Sequence, residues 1–163
     1  MLDHGLRLEF AFADLLRYAG PHSPVGVAQA FKVLERALPL LAGGEVPQRR
    51  AIAVGTAFGG PGARDGFECV LRAVTGDRYT VDPALARPEL GTRARFVFEL
   101  EHAARRVTLV LRDGFVTDEF LALAGREHRD DAEERRLTEL KAQLAQRTDA
   151  APASAVYDVE RVA

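Results

Sequence analysis

Between Val27 and Leu41 the apolar residues Val27, Phe31, Leu34, Leu38 and Leu41 recur at spacings of four, three, four and three. That is the period of one helix face, so this segment must lie against a core along its length. Gln29, Lys32 and Arg36 mark the opposite face and are expected to be wet. Ser23 followed by Pro24 reads as the start. A serine hydroxyl can accept from the unpaired first amides, and proline loses nothing at the first helical position. Pro39 is expected to kink or end the helix. Gly43-Gly44 closes the segment.

The other elements follow from this one. Leu6 to Tyr18 reads as an amphipathic helix, with Leu8, Phe12 and Leu15 on one face. Ala51 to Phe58 reads as a buried strand and Gly59 to Gly62 as a loop. Asp65 is expected to cap a helix from Gly66 to about Val74, stopped by Gly76. A short strand is expected over 78–82 and an irregular connection over 83–91. Thr92 to Leu100 and Arg106 to Arg112 alternate as the two strands of a hairpin, with Phe96, Phe98, Leu100, Val107, Leu109 and Leu111 inward. Thr117 caps a helix containing Phe120, Leu121 and Leu123. Leu137, Leu140 and Leu144 then form a thin stripe on a long charged helix, suited to docking on a partner protein. Residues 149–154 read as a linker. Residues 156–162 read as a loose tail or an edge strand. The expected fold is α+β: N-terminal helices on a mainly antiparallel sheet, with a long C-terminal helix. The expected division is a domain over 1–126, the charged helix over 127–147 and the tail over 148–163.

Composition narrows the partners. In 163 residues the formal net charge is -2, so nucleic acid is not expected. No apolar run approaches membrane-spanning length, so no membrane partner is expected. The first residues lack the basic segment and apolar run of a secretory signal, which predicts a cytoplasmic protein. Lysine occurs only at Lys32 and Lys141. One cysteine, Cys69, and four histidines rule out an intramolecular disulfide and a closed cysteine-rich zinc site.

Four places could carry chemistry. The glycine-rich stretch from Gly59 to Gly66 is either a flexible connection or an anion loop at a helix start. His22, beside Ser23 at a helix N-terminus, is either a turn residue or a neutral ligand or base. Cys69 is either a small buried hydrophobe or a metal or redox group. Arg93, Arg95, Arg105, Arg106 and Arg112 could grip an oxyanion, or with Glu99 and Glu101 form a solvated face.

Two patches together resemble a known family. Tyr18-Ala19-Gly20-Pro21-His22-Ser23-Pro24 and the helix after it resemble the aromatic-His-Gly-His-x-Cys-Pro turn of the FmdE-like family, which takes its name from a component of formylmethanofuran dehydrogenase. Glu68 to Asp77 resembles that family's helix ending in Thr-Gly-Cys-Thr. Ser23 stands where the family often has cysteine, Asp77 where it has the cysteine of Thr-Gly-Cys-Thr, and Cys69 near its acidic position. The family's terminal zinc module is replaced by the charged helix. The resemblance covers roughly residues 5–125. It implies a homodimer tied by name to one-carbon metabolism, and a divalent transition metal such as zinc held by His22, Cys69 and Asp77. As an enzyme the chain would act on a small polar ligand bearing a carbonyl or carboxylate, with His22, Ser23 and Asp77 catalytic. As an accessory or binding module it would have lost the metal and would work through oligomerisation.

Overall fold

The long helix is where the periodicity puts it. In the computed structural model, which describes residues 1–163, α2 spans Pro24–Ala42. Pro39 sits inside it without ending it, and Gly43 closes it in the left-handed region. Before it come β1 (Leu2–Asp3), β2 (Leu6–Arg7) and α1 (Phe12–Ala19). The expected helix from Leu6 is therefore half hairpin. His4 and Gly5, both at positive φ, turn the chain back, and β2 pairs antiparallel with β1. The helix begins only after Ala11, whose amide is held by the Asp14 carboxylate.

Then follow β3 (Ala53–Thr56), α3 (Pro61–Leu71), β4 (Tyr79–Val81), β5 (Val97–His102), β6 (Arg105–Leu111), α4 (Asp118–Ala124), α5 (Asp131–Ala150), α6 (Ala153–Val156) and β7 (Tyr157–Val162). The sheet order is β4-β3-β5-β6-β7. Only β3 and β4 run parallel, joined through α3 as parallel strands require. The other pairs are antiparallel, so the fold is α+β with a mainly antiparallel sheet. No helix is long and apolar enough to cross a membrane.

The hairpin alternation holds in the strands. Phe98 and Leu100 of β5, with Val107, Leu109 and Leu111 of β6, join the core beneath α2. On the other face Arg106 lies against Glu99 and Glu101, while Val97, Thr108 and Val110 of that face are buried, so only its far end is a solvated ion-paired surface. The first strand starts late, because Pro88–Arg93 forms a 3-10 turn instead. Within that connection Arg87 grips Glu160 of β7 with two hydrogen bonds of 3.2 and 2.8 Å.

Two expectations about wet surfaces need correction. Gln29 and Lys32 are buried, because α3 and α5 cover α2 on faces beyond the apolar stripe. Lys32 keeps its charge partnered by Glu35 at 2.8 Å. Gln29 accepts from the Tyr157 hydroxyl at 2.6 Å. The thin stripe of α5 is also spent inside the chain: Leu137, Leu140 and Leu144 are buried in the same core. Residues 149–154 are no linker, since α5 runs to Ala150 and α6 buries Ala153 and Val156. The last segment is an edge strand, with β7 antiparallel to β6.

Candidate anion cavity at paired helix starts

Proline and glycine place the site. Pro61 stands at the first position of α3 after Gly60, so this helix starts well before Asp65. Gly62 and Gly66 then fall four residues apart, on the helix face that meets α2. A Cβ on Gly62 would overlap the Ser23 carbonyl oxygen, and one on Gly66 would come within 2.7 Å of Ala30 Cβ. From the other side, a Cβ on Gly26 would lie 2.7 Å from the Ala63 nitrogen. The two helices thus touch backbone to backbone at their N-terminal ends.

Beside this contact is a cavity of about 310 Å³, lined by both helix starts. Residues of both first turns line it. Val25, Gly26 and Gly62 lie in the first turns, where amides have no intrahelical acceptor. None of the three has a backbone or side-chain partner elsewhere. Ser23 lines the same space, and its hydroxyl makes no cap bond. Lys141 reaches in from α5 and donates to the His22 carbonyl at 2.9 Å. The opposite wall is apolar: Phe58, Phe120 and Leu121. Phe58 is held by stacking on Phe96, with ring centroids 4.4 Å apart.

The other end of α3 is closed. Arg49 donates to the carbonyls of Cys69 (2.6 Å) and Val70 (2.9 Å), and its remaining nitrogen meets Asp3 at 3.0 Å. Arg78 donates to Leu71, Arg72 and Ile52. Glu68 accepts from the amides of Val74 and Thr75 and from the Thr75 hydroxyl. Burial works against its charge, but those hydrogen bonds and the nearby Arg72 outweigh it and hold the carboxyl below its usual range.

Of the residues singled out from the sequence, Ser23 lines the cavity. His22 is exposed, and its backbone rather than its ring takes part. Cys69 is buried, and burial raises its thiol pKa, which keeps it protonated. Asp77 is an exposed turn residue at φ +55°, beyond the far end of α3. At about 1.5 Å per residue, α3 alone separates the two ends by roughly 16 Å. His22, Cys69 and Asp77 are not brought together, and no three His, Cys, Asp or Glu residues are grouped to hold a metal ion. An exposed imidazole, a buried protonated thiol and a distant carboxylate do not fit a shared ion.

Sequence reasoning missed Lys141, the unpaired amides and the arginines that close α3. The repeat Gly26-x-x-x-Ala30 beside Gly62-x-x-x-Gly66 is the signal that marks the close crossing. No protein-family model matches the chain, and no curated protein does.

Proposed function

We propose that this protein is a divergent FmdE-like domain that binds a small carboxylate- or carbonyl-bearing molecule at the paired starts of α2 and α3. It does so in the cytoplasm, as a homodimer. One observation carries the ligand class: two uncapped helix starts, with Val25, Gly26 and Gly62 whose amides have no partner in the chain, line one cavity with an apolar wall. An oxyanion or polarised carbonyl oxygen satisfies the amides, and a short apolar body fills the side lined by Phe58 and Phe120. The order of elements and the Ser23-Pro24 helix start support the family reading. No metal takes part in this proposal.

The chemistry open to such a site is polarisation. Amides aimed at a carbonyl oxygen stabilise negative charge as it develops there. No carboxylate or imidazole lines the cavity. Lys141 and Ser23 are the two side chains at the cavity that can donate a hydrogen bond to the ligand.

Titration of the 15N-labelled protein with butyrate tests the reading. The amide signals of Val25, Gly26 and Gly62 are expected to shift saturably, with those of β6 and β7 unmoved. Lys141→Met is expected to weaken butyrate roughly tenfold, the loss of one charge-assisted hydrogen bond. Amides that stay still while the protein remains folded rule the reading out.

A further inference from the structure

The short helix α4 stands between two hollows. On its inner side Phe120 and Leu121 wall the cavity at the helix starts. On its outer side a second cleft, of about 380 Å³, separates it from the first turns of α5. α4 buries only two side chains, Phe120 and Leu123, and each borders one of these hollows. Its N-terminal end is pinned. Val116 lies in the core just before it, and the Thr92 hydroxyl donates to Asp118 at 2.5 Å. Its C-terminal end leads into an exposed stretch from Ala124 to His128. What holds that end to α5 is polar: Glu119 pairs with Arg136 at 2.6 Å, Arg126 pairs with Glu133, and Arg129 joins the Leu123 carbonyl to Glu134. Ion pairs open to solvent, as these are, contribute little.

We propose that α4 is the gate of the cavity: it swings about Thr117 to admit the ligand and closes against it, receding into the outer cleft when open. The proposal rests on the ligand reading above and adds how the site is entered. Three features support it. A wall between two hollows displaces few atoms when it moves, whereas α2 and α3 meet backbone to backbone and cannot part. Seven residues make about two turns, too few to stay helical once the packing is lost. Glu119, Arg136, Arg126 and Glu133 all line the outer cleft, so α4 recedes only when their pairs break, and such pairs break and re-form readily. Opening is thus a local event that leaves the core and the helix starts in place.

Hydrogen exchange followed by NMR on the full 15N-labelled chain tests this. In the free protein the amides of Leu121, Ala122 and Leu123 are expected to exchange at least about tenfold faster than those of Leu140 and Leu144 in α5. Glu119→Gln should speed them a further threefold or so, about the contribution of one exposed ion pair. Glu139→Gln is the control. It takes a carboxylate from the same Arg136, 3.4 Å away, without touching α4, and should leave that exchange unchanged. Butyrate at about ten times its dissociation constant should slow α4 exchange about tenfold, since it holds the closed form. Exchange in α4 as slow as in α5, or equal responses to the two substitutions, overturns the gate. So does butyrate that shifts Val25, Gly26 and Gly62 yet leaves α4 exchange unchanged, and that result keeps the ligand reading. Absence of shifts at those three amides is the separate failure of the ligand reading, and the gate falls with it.

Discussion

The two ends of α3 are built from opposite materials. At its C-terminal end Arg49 and Arg78 cover the last carbonyls, and Glu68 ties down the following turn. At its N-terminal end no side chain caps the helix, and the same is true of α2 beside it. The closed end has its polar groups matched and contributes stability. The open end keeps unmatched donors beside a cavity, which is where a ligand can add what the chain does not supply. A helix so arranged directs its dipole toward the cavity: guanidinium groups offset the negative end, while the positive end is left for an anion.

Substitutions at the two ends should break this contrast in different ways. The largest effect is expected from Gly62→Ala, where the new Cβ meets backbone that cannot turn aside. Overpacking of this kind should cost about 3 kcal/mol in urea unfolding, and it should abolish butyrate binding by parting the helix starts. Arg78→Met at the closed end should cost about 2 kcal/mol, since carbonyls of Ile52, Leu71 and Arg72 lose their donor together. Butyrate should still bind this variant when folded.

Glu68→Gln should cost roughly 1.5 kcal/mol near neutral pH, through weaker acceptance from Val74 and Thr75. Its pH dependence has a definite sign. The folded pKa is lowered, so the carboxylate's contribution is fully present above the usual value of 4.5 and is lost as pH falls through the folded value. Stability measured against pH should show the wild-type advantage shrinking below that point. Thr117→Ala, which removes a working cap bond to the Phe120 amide, should cost about 1 kcal/mol. The smallest effect belongs to the open end. Ser23→Ala should change stability by less than about 0.5 kcal/mol, because its hydroxyl caps nothing.

The same contrast explains what could be read from the sequence. Regular apolar spacing revealed α2, the inward residues of β5 and β6, and the cap at Thr117, because each depends on local pattern alone. The start of α3 was hidden. Gly59-Gly60-Pro61-Gly62 and Gly66 look like chain breakers when weighed by helix propensity, yet Gly62 and Gly66 are there for a neighbour more than thirty residues earlier in the chain. Burial of Gln29 and Lys32 was hidden for a similar reason. Gln29 finds its partner in β7, the cover over α2 comes from α3 and α5, and one amphipathic stripe says nothing of a helix covered on several sides. At the site, Ser23 was legible as a helix start. His22, Cys69 and Asp77 drew attention as reactive residue types, but the cavity is lined by the first turns of two helices, whose unpaired amides belong to residues of no distinctive chemistry. Lys141 gives no local signal, since only the return of α5 across α2 brings it to His22.

The hydrogen bond between Gln29 and Tyr157 joins residues 128 positions apart in the buried interior. On a ribosome adding about 5–20 residues per second, the α2 surface is finished on the order of ten seconds before Tyr157 is made. Throughout that interval the Gln29 side-chain oxygen lacks the Tyr157 hydroxyl, although its amide nitrogen can reach the Phe115 carbonyl once that residue is made. The nascent chain therefore cannot settle its core by growing outward from its first half. Completion waits for the final strand, and a ribosome stalled before residue 157 would hold a chain whose central helix is formed but unsealed.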